Sequence, residues 1–318
     1  MKIGVLGTGH LGKIHLKCIG SIPDLELIGF YDESKETRES VKKEFDLKAF
    51  ESVDELIDQA DIVDIVTPTS THYELAKRSM SAGKHVFIEK PVTETVEQAR
   101  DLLAMQTKYG VRAQIGHVER YNPAYLALLD FDLNPMFMEG HRLSTFNPRG
   151  TDVSVVLDLM IHDLDLVLQL ANSRVKDIRA KGVNVVSPSH DICNARLEFE
   201  NGCVANLTAS RISLKQMRKL RMFQNNAYVS IDMLEKQAQI ITLEDDKPDS
   251  DMAFELDTGN NTKWVNIRMP DARPNNAIVT ELTEFHRAIA DGGPIRVSLE
   301  EGYSALSLAH DIIKACDA

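Results

Sequence analysis

The 318-residue chain has no apolar run approaching the roughly 20 residues of a membrane-spanning helix. It is short of positive charge, with 36 lysines and arginines against 48 aspartates and glutamates, and the net charge of −12 disfavours nucleic acid as a partner. The first residues lack the charged and then apolar pattern of an export signal. The four cysteines form no CxxC pair, which favours a reduced, cytoplasmic protein with inert thiols.

The histidines show neither the H-x-x-x-H nor the H-E-x-x-H spacing, so we predict no metal site. The rest of the composition is that of an ordinary globular protein, with 43% hydrophobic and 26% charged residues. Its length suggests about two domains. Up to about residue 120, apolar strand-like segments alternate with helical ones, which predicts a parallel sheet covered on both faces. We therefore expect an α/β dinucleotide-binding domain over residues 1–120.

The pattern changes beyond residue 120, where strand candidates follow one another. Asn201-Gly202 between two of them is a strong hairpin signal. A long apolar helix is predicted over Thr151–Leu170, and the acidic, polar segment Glu244–Asn261 is predicted to be a loop. Residues 121–318 therefore predict an α+β domain with a mostly antiparallel sheet.

A glycine-rich turn follows the first predicted strand. In such a turn the first glycine permits the tight bend, the second lets backbone N–H groups approach a pyrophosphate, and the third lets helix and strand pack closely. An acid ends the next apolar run, where a carboxylate suits the ribose hydroxyls of NAD and repels the extra phosphate of NADP. The predicted contacts are Gly7, Thr8, Gly9, His10, Leu11, Gly12 and Asp32.

Two further strand ends carry polar residues, and we predict that Thr67, Pro68, His72, Glu89 and Lys90 there also contact the cofactor. Glu89 and Lys90 precede Pro91 at the carboxyl end of a predicted parallel strand, where open α/β sheets bind ligands. Lys90 is either a surface lysine or a cation placed beside a substrate oxygen. Thr67 and Pro68 end another strand, and the nearby His72 either lies at the cofactor or occupies an ordinary helical first turn.

In the second domain, Asp158, His162 and Asp165 lie at i, i+4 and i+7 on one helix face. A carboxylate one turn from an imidazole can orient the ring and tune its basicity. The alternative is that these residues, with Asp163, form the solvent-facing stripe of an amphipathic helix. Arg120 and Tyr121 follow the last parallel strand, where they either meet a substrate or belong to a structural linker.

Taken in order, these motifs resemble the glucose–fructose oxidoreductase / inositol dehydrogenase (Gfo/Idh/MocA) family, and the resemblance covers essentially the whole chain. It rests on Gly7–Gly12, Asp32, the Pro68…His72 turn, Glu89-Lys90-Pro91 and Asp158-x-x-x-His162-x-x-Asp165. The resemblance implies a Rossmann domain followed by a domain with a large, open, mostly antiparallel sheet. It also implies hydride transfer between NAD and a secondary alcohol of a sugar or nucleotide sugar. The open sheet often forms oligomer contacts in this family, so we expect a homodimer or homotetramer.

The resemblance also assigns roles to individual residues. Lys90 resembles the lysine that positions the substrate hydroxyl, His162 the general base, and Asp158 its orienting partner. Asp165 resembles a contact to a substrate hydroxyl. The stretches 116–123 and 151–156 resemble a subgroup that includes UDP-N-acetylglucosamine 3-dehydrogenases.

Two other functions fit parts of the pattern. An NAD-binding regulator without turnover would need the glycine turn but not the set of Lys90, Asp158 and His162. A dehydrogenase of a non-sugar carbonyl or diol would need the whole set. A substrate screen separates these alternatives from the sugar dehydrogenase.

Overall fold

The computed structural model of the protein describes residues 1–147, 153–257, 259 and 262–317. It divides into two compact units, Met1–Val118 with Asn275–Ser307 and Glu119–Pro274 with Leu308–Ala318. Within the described ranges, no helix is long and apolar enough to cross a bilayer. The division at residues 1–120 and 121–318 stays a proposal about where the folding domains begin and end.

The first unit contains a five-stranded parallel sheet. Its strands are β1 (Lys2–Leu6), β2 (Glu26–Tyr31), β3 (Ile62–Ile65), β4 (His85–Glu89) and β5 (Ala113–Gly116). They lie in the order β2-β1-β3-β4-β5. Every residue of β3 is buried, as expected where both faces of a parallel sheet are covered. The strand order reverses between β1 and β3, and ligands of open α/β sheets bind beyond the strand ends at such a point.

Helices connect and follow these strands. They are α1 (His10–Ile19), α2 (Lys35–Phe45), α3 (Val53–Gln59), α4 (Thr69–Ser81), α5 (Val96–Tyr109), α8 (Ala277–Asp291) and the first part of α9 (Leu299–Asp317). The side-chain oxygens of Ser34, Ser52 and Thr95 accept first-turn N–H groups and so fix the starts of α2, α3 and α5. The core of the unit joins Phe30 and Phe87 of the sheet to Phe285 of α8.

The second unit contains a nine-stranded sheet. Its strands are β6 (Phe137–Leu143), β7 (Val175–Val183), β8 (Ile192–Phe199), β9 (Val204–Ser210), β10 (Met217–Gln224), β11 (Ala227–Asp232), β12 (Gln237–Glu244), β13 (Ala253–Asp257) and β14 (Thr262–Arg268). The order is β13-β14-β12-β11-β10-β6-β9-β8-β7. Of the described pairings, β6 with β9 is parallel and the others are antiparallel, which confirms the predicted sheet.

The predicted hairpin at Asn201-Gly202 is confirmed, since it joins β8 to β9 and Gly202 lies at φ +88°. The loop predicted over Glu244–Asn261 is wrong at Ala253–Asp257, which forms β13 and pairs with β14. This strand escaped prediction because it is short and lies in an acidic, polar segment, although Phe254 to Asp257 alternate apolar and polar residues. Thr258, Asn260 and Asn261 lie outside the described residues.

The helical segments of the second unit are short apart from one. The turn Val118–Tyr121 is 3₁₀-helical, α6 spans Pro123–Leu126, and a π-helical turn at Val156–Met160 runs into α7 (Ile161–Ala171). The predicted start of this helix at Thr151 and Asp152 lies outside the described residues. The apolar side of α7, with Leu164 and Val167, belongs to the core cluster that the sheet shares.

Candidate functional site

A glycine turn joins β1 to α1 in the first unit. Gly7 lies at φ +87°, a conformation that glycine adopts without strain. A Cβ on Gly12 would lie 2.0 Å from the carbonyl oxygen of Gly7, so a larger residue there would push the helix away from the turn. Gly9 is the N-cap of α1. A Cβ added to Gly9 would have no other heavy atom within 4 Å. The first N–H groups of α1, which no N-cap side chain occupies, are therefore available to a phosphate.

Asp32 follows β2, and hydrogen bonds hold its carboxylate in place. Oδ2 accepts from the main-chain N–H of Thr8 at 2.8 Å and from its hydroxyl at 3.1 Å, while Oδ1 accepts from the N–H of Ser34 at 3.0 Å. A carboxylate offers about four lone-pair sites, so acceptor capacity remains for ribose hydroxyls. Sequence reasoning missed Arg38, which donates to the main-chain oxygen of Asp32 at 2.6 Å and lies over the ring of Tyr31.

A cavity of about 1170 Å³ lies in the first unit along these elements. Among the residues predicted to contact the dinucleotide, it is lined by Gly7, Gly9, His10, Leu11, Asp32, Thr67, Pro68, Glu89 and Lys90. The structure adds four serine and threonine side chains that sequence reasoning did not place in the site: Ser34, Thr37, Ser70 and Thr71. These four residues share a position that the sequence could have indicated. Each lies at the N-cap or in the first turn of a helix that follows a strand of the sheet.

The Glu89-Lys90-Pro91 turn leaves the carboxyl end of β4, and its Lys90–Pro91 peptide bond is cis. Glu89 is 8% exposed, and its Oε2 accepts from the main-chain N–H of Lys90 at 3.1 Å. A Cβ on Gly116 of the neighbouring strand would lie 2.8 Å from Glu89 Oε1. The glycine at that position therefore makes room for the carboxylate.

Sequence reasoning missed a cluster of buried ionisable groups beneath this turn. Nδ1 of His15 lies 2.9 Å from Asp64 Oδ2, and its Nε2 lies 3.3 Å from Glu89 Oε1. Burial disfavours a charged ring, yet the two carboxylates raise the pKa of His15 well above its usual value. Burial also opposes ionisation of Glu89, but His15 and Lys90 hold its pKa below the ordinary value. Burial, reinforced by the charge of Glu89, raises the pKa of Glu281 well above normal, so this acid is neutral.

His72 lies on α4 with 1% of its surface exposed. Its Nδ1 is 2.9 Å from the main-chain oxygen of Pro91, and its Nε2 is 2.9 Å from that of Thr67. Burial lowers the pKa of His72. The ring thus joins the two segments, after β3 and after β4, that contribute Thr67 and Lys90 to the cavity.

The second unit carries the other predicted catalytic groups. Asp158 lies in the π-helical turn and His162 in the first turn of α7, and both are half-buried. Such π turns are rare and frequently occur at functional sites. The interpretation of this helix face as a solvent-facing stripe is wrong for Asp163 and Asp165, which are 2% and 1% exposed.

Two arginine–carboxylate pairs hold the start of α7. Arg142 donates to both carboxylate oxygens of Asp163, at 2.9 and 3.0 Å, and to Glu119 at 2.9 Å. Arg120 donates to both oxygens of Asp165 at 2.7 and 3.1 Å. Burial raises the pKa of Asp163 although Arg142 opposes the shift. These pairs tie the helix that carries His162 to β6 and to the turn Val118–Tyr121.

The residues predicted to contact the substrate are therefore found inside this unit. Arg120 and Asp165 bind each other, and Tyr121 is fully buried. Arg120 and Tyr121 lie in the 3₁₀ turn, and Asp165 lies on α7 three residues after His162.

Comparison with known proteins supports the family resemblance. The family model described as "Oxidoreductase family, NAD-binding Rossmann fold" matches residues 1–117, and the "GFO/IDH/MocA C-terminal domain" model matches residues 130–228. A UDP-N-acetylglucosamine 3-dehydrogenase of Acidithiobacillus ferrooxidans is 36% identical, over 100% of this chain and 98% of the relative. A structure of that enzyme superimposes with a TM-score of 0.89 over 99% of this chain and 97% of the other.

A scyllo-inositol dehydrogenase from Lactobacillus casei, solved with NAD(H) and scyllo-inositol, has a TM-score of 0.79 at 20% identity and covers 100% of this chain and 97% of its own. At that identity the likeness concerns the fold alone. It agrees with the two sheets described above.

Proposed function

The chain belongs to the Gfo/Idh/MocA family and is an NAD-binding oxidoreductase, and from that premise we propose that it oxidises the 3-hydroxyl of UDP-N-acetylglucosamine. The observation that supports the reaction type is the joint lining of one cavity by the glycine turn, Asp32 and Lys90. The substrate is proposed from the relative, because the similarity extends over both chains almost completely.

The residues of the first unit fit the cofactor. The uncapped start of α1 suits the pyrophosphate, and Asp32, already oriented by Thr8 and Ser34, suits the ribose hydroxyls. A bound NAD would supply the acceptor for the hydride of the alcohol carbon. Lys90 then stabilises the negative charge that develops on the substrate oxygen, which is the kind of electrostatic stabilisation that contributes most in many enzymes.

His162 receives the hydroxyl proton as general base and returns it in the reverse reaction. Asp158, one helical turn earlier, orients the ring. We infer that Arg120, Tyr121 and Asp165 form the substrate-side wall, with the Arg120–Asp165 pair keeping its shape.

The proposal is tested by following nicotinamide absorbance with NAD and a panel of UDP-N-acetylglucosamine, N-acetylglucosamine 1-phosphate, glucose 6-phosphate and inositols. We expect turnover with UDP-N-acetylglucosamine to exceed the rest. Preference for an inositol would contradict the proposed substrate, and cofactor binding without any turnover would favour an NAD-binding regulator.

The roles of Lys90 and His162 are tested by Lys90→Met and His162→Gln. Each is expected to lower kcat by about 10²–10⁴, the range for general acid–base groups, with little change in NAD affinity. Lys77→Met is the matched control, because that lysine is exposed on α4. Near-normal turnover in both active-site variants would overturn these assignments.

We also propose that the nine-stranded sheet joins copies of the chain into a homodimer or homotetramer. Phe223, Leu243 and Phe254 share one face through the strand register and are 39%, 45% and 51% exposed. Apolar patches of this kind mark interaction surfaces. Light scattering should give a multiple of the 35.6 kDa chain mass, reduced by Leu243→Glu together with Phe254→Glu. A monomeric parent protein would contradict the proposal.

A cytoplasmic location is proposed from the thiols. All four cysteines are free and buried, including Cys193 and Cys316, whose Sγ atoms lie 3.5 Å apart without a disulfide. Fractionation of cells that produce the protein should recover it with cytoplasmic markers, and recovery with exported proteins would contradict this.

A further inference from the structure

The hydrogen-bonded ladder between β3 and β4 ends just before the lysine turn. Its last paired residues are Ile65 and Ile88. Glu89 still pairs with Gly116 of β5 on the other side, but on the β3 side no ladder pair is formed after Ile88. Beyond the Ile65–Ile88 pair, the two segments are connected by side-chain contacts.

Two buried histidines supply this connection, one from α1 and one from α4. His15 has one ring nitrogen at Asp64, inside β3, and the other at Glu89. His72 has one ring nitrogen at the oxygen of Thr67, just after β3, and the other at the oxygen of Pro91. The two rings thus repeat one arrangement, in which each joins the β3 segment to a residue that flanks Lys90.

We propose that His15 and His72 are positioning residues for Lys90, acting through Glu89 on one side and Pro91 on the other. The inference rests on the proposed role of Lys90 in catalysis. A lysine ammonium ends a flexible four-carbon stem, so its placement depends on the backbone from which it extends. Misplacement of a reacting group by about 1 Å can cost on the order of 10²-fold in rate.

The charge on each imidazole ring is consistent with the groups that face its two nitrogens. His15 lies between two carboxylates that favour the charged ring, with Nδ1 hydrogen-bonded to Asp64 Oδ2 at 2.9 Å and Nε2 facing Glu89 Oε1 at 3.3 Å. His72 is neutral at physiological pH because burial lowers its pKa, so it carries a single N–H. We assign that N–H to Nδ1, where it donates to Pro91.

Substitution by asparagine or by glutamine tests the two ring nitrogens of each histidine separately. The asparagine amide nitrogen is as many bonds from Cα as Nδ1, and the glutamine amide nitrogen as many as Nε2. At position 72, Asn keeps the donor to Pro91, whereas Gln loses it and directs its amide nitrogen toward the oxygen of Thr67. At position 15 the order reverses, since Gln keeps the donor to Glu89 and Asn keeps only the one to Asp64.

The experiment compares kcat, NAD affinity and melting temperature in His72→Asn, His72→Gln, His15→Gln and His15→Asn of the full-length enzyme. We expect His72→Gln and His15→Asn to have kcat lower by on the order of tenfold than their partner variants, with NAD affinity similar within each pair. A purely structural role would change kcat equally within each pair.

A second readout needs no substrate. The main-chain N–H of Lys90 donates to Glu89, so hydrogen exchange at this amide reports on the turn. Exchange should be faster in His72→Gln and His15→Asn than in their partners. If the parent enzyme turns over no substrate, the proposed function fails and amide exchange alone decides the positioning role. Equal exchange and equal kcat within the pairs, or the opposite order, would overturn the inference.

Discussion

Replacement of Arg142 by methionine tests whether buried charge organises the second unit. The guanidinium is 3% exposed and lies between the carboxylates of Asp163 and Glu119. Methionine keeps much of the side-chain length but leaves both carboxylates buried without their cation. Breaking a buried pair from one side costs about 3–5 kcal/mol. Arg218, 3.6 Å from Glu119 and about half exposed, offsets part of this loss, so we expect a value toward the lower end.

For a unit of this size, each kcal/mol shifts the melting temperature by about 2–4 °C. Arg142→Met should therefore lower the transition of the second unit by about 6–20 °C in a calorimetric scan. Arg179→Met is the control, because Arg179 is 78% exposed in a surface pair and its loss should change stability by about 0.5 kcal/mol or less.

The stability lost in Arg142→Met should also depend on pH. Burial raises the pKa of Asp163, and Arg142 opposes that shift, so the variant lets the pKa rise further. A group with a raised folded-state pKa is stabilising below its unfolded pKa and loses that contribution as pH rises through the folded value. The variant should therefore recover stability relative to the parent as pH falls from about 8 to about 5. A loss of unfolding free energy below about 1 kcal/mol in Arg142→Met, or a loss that does not shrink as pH falls, would refute the reasoning.

Four other substitutions test the first unit. Gly12→Ala should lower the melting temperature, because its Cβ would meet a carbonyl oxygen at 2.0 Å. Gly9→Ala should leave stability near normal and weaken NADH binding in a fluorescence titration. Asp32→Asn should weaken NAD binding by on the order of tenfold and improve NADP binding, as measured by calorimetry, because the charge that repels a 2′-phosphate is lost. Glu281→Gln should be as stable as the parent near pH 5 and more stable near pH 8 in urea unfolding, because the raised pKa of Glu281 costs stability as pH rises. An unchanged cofactor preference in Asp32→Asn would contradict the first of these two predictions. A stability profile of Glu281→Gln that runs parallel to the parent's across pH would contradict the second.

Local signals in the sequence were enough to predict the parallel sheet and the second sheet apart from β13. Strand periodicity, the Asn201-Gly202 turn and the glycine turn all depend on neighbours within a few residues, and the structure forms each of them. The cavity lining also follows from position, since parallel strands end at one edge. Gly7, Asp32 and Lys90 could therefore be placed together before the fold was known.

The buried ionic contacts could not be predicted in this way. His15, Asp64 and Glu89 come from separate elements, and each alone reads as an ordinary polar residue in a helix or strand. Arg142 is likewise an isolated arginine in a strand, and only packing brings it to Asp163 and Glu119. Partners far apart in sequence leave no periodic signal in one chain.

We propose that this enzyme moves the hydrogen on C3 of a nucleotide sugar to NAD. UDP-N-acetylglucosamine deuterated at C3 measures this directly when the reduced cofactor is analysed by mass spectrometry. Our account predicts that deuterium appears in the nicotinamide and that replacing His162 by Gln slows this transfer. Reduced cofactor without deuterium, or deuterium that stays on the sugar, would contradict it.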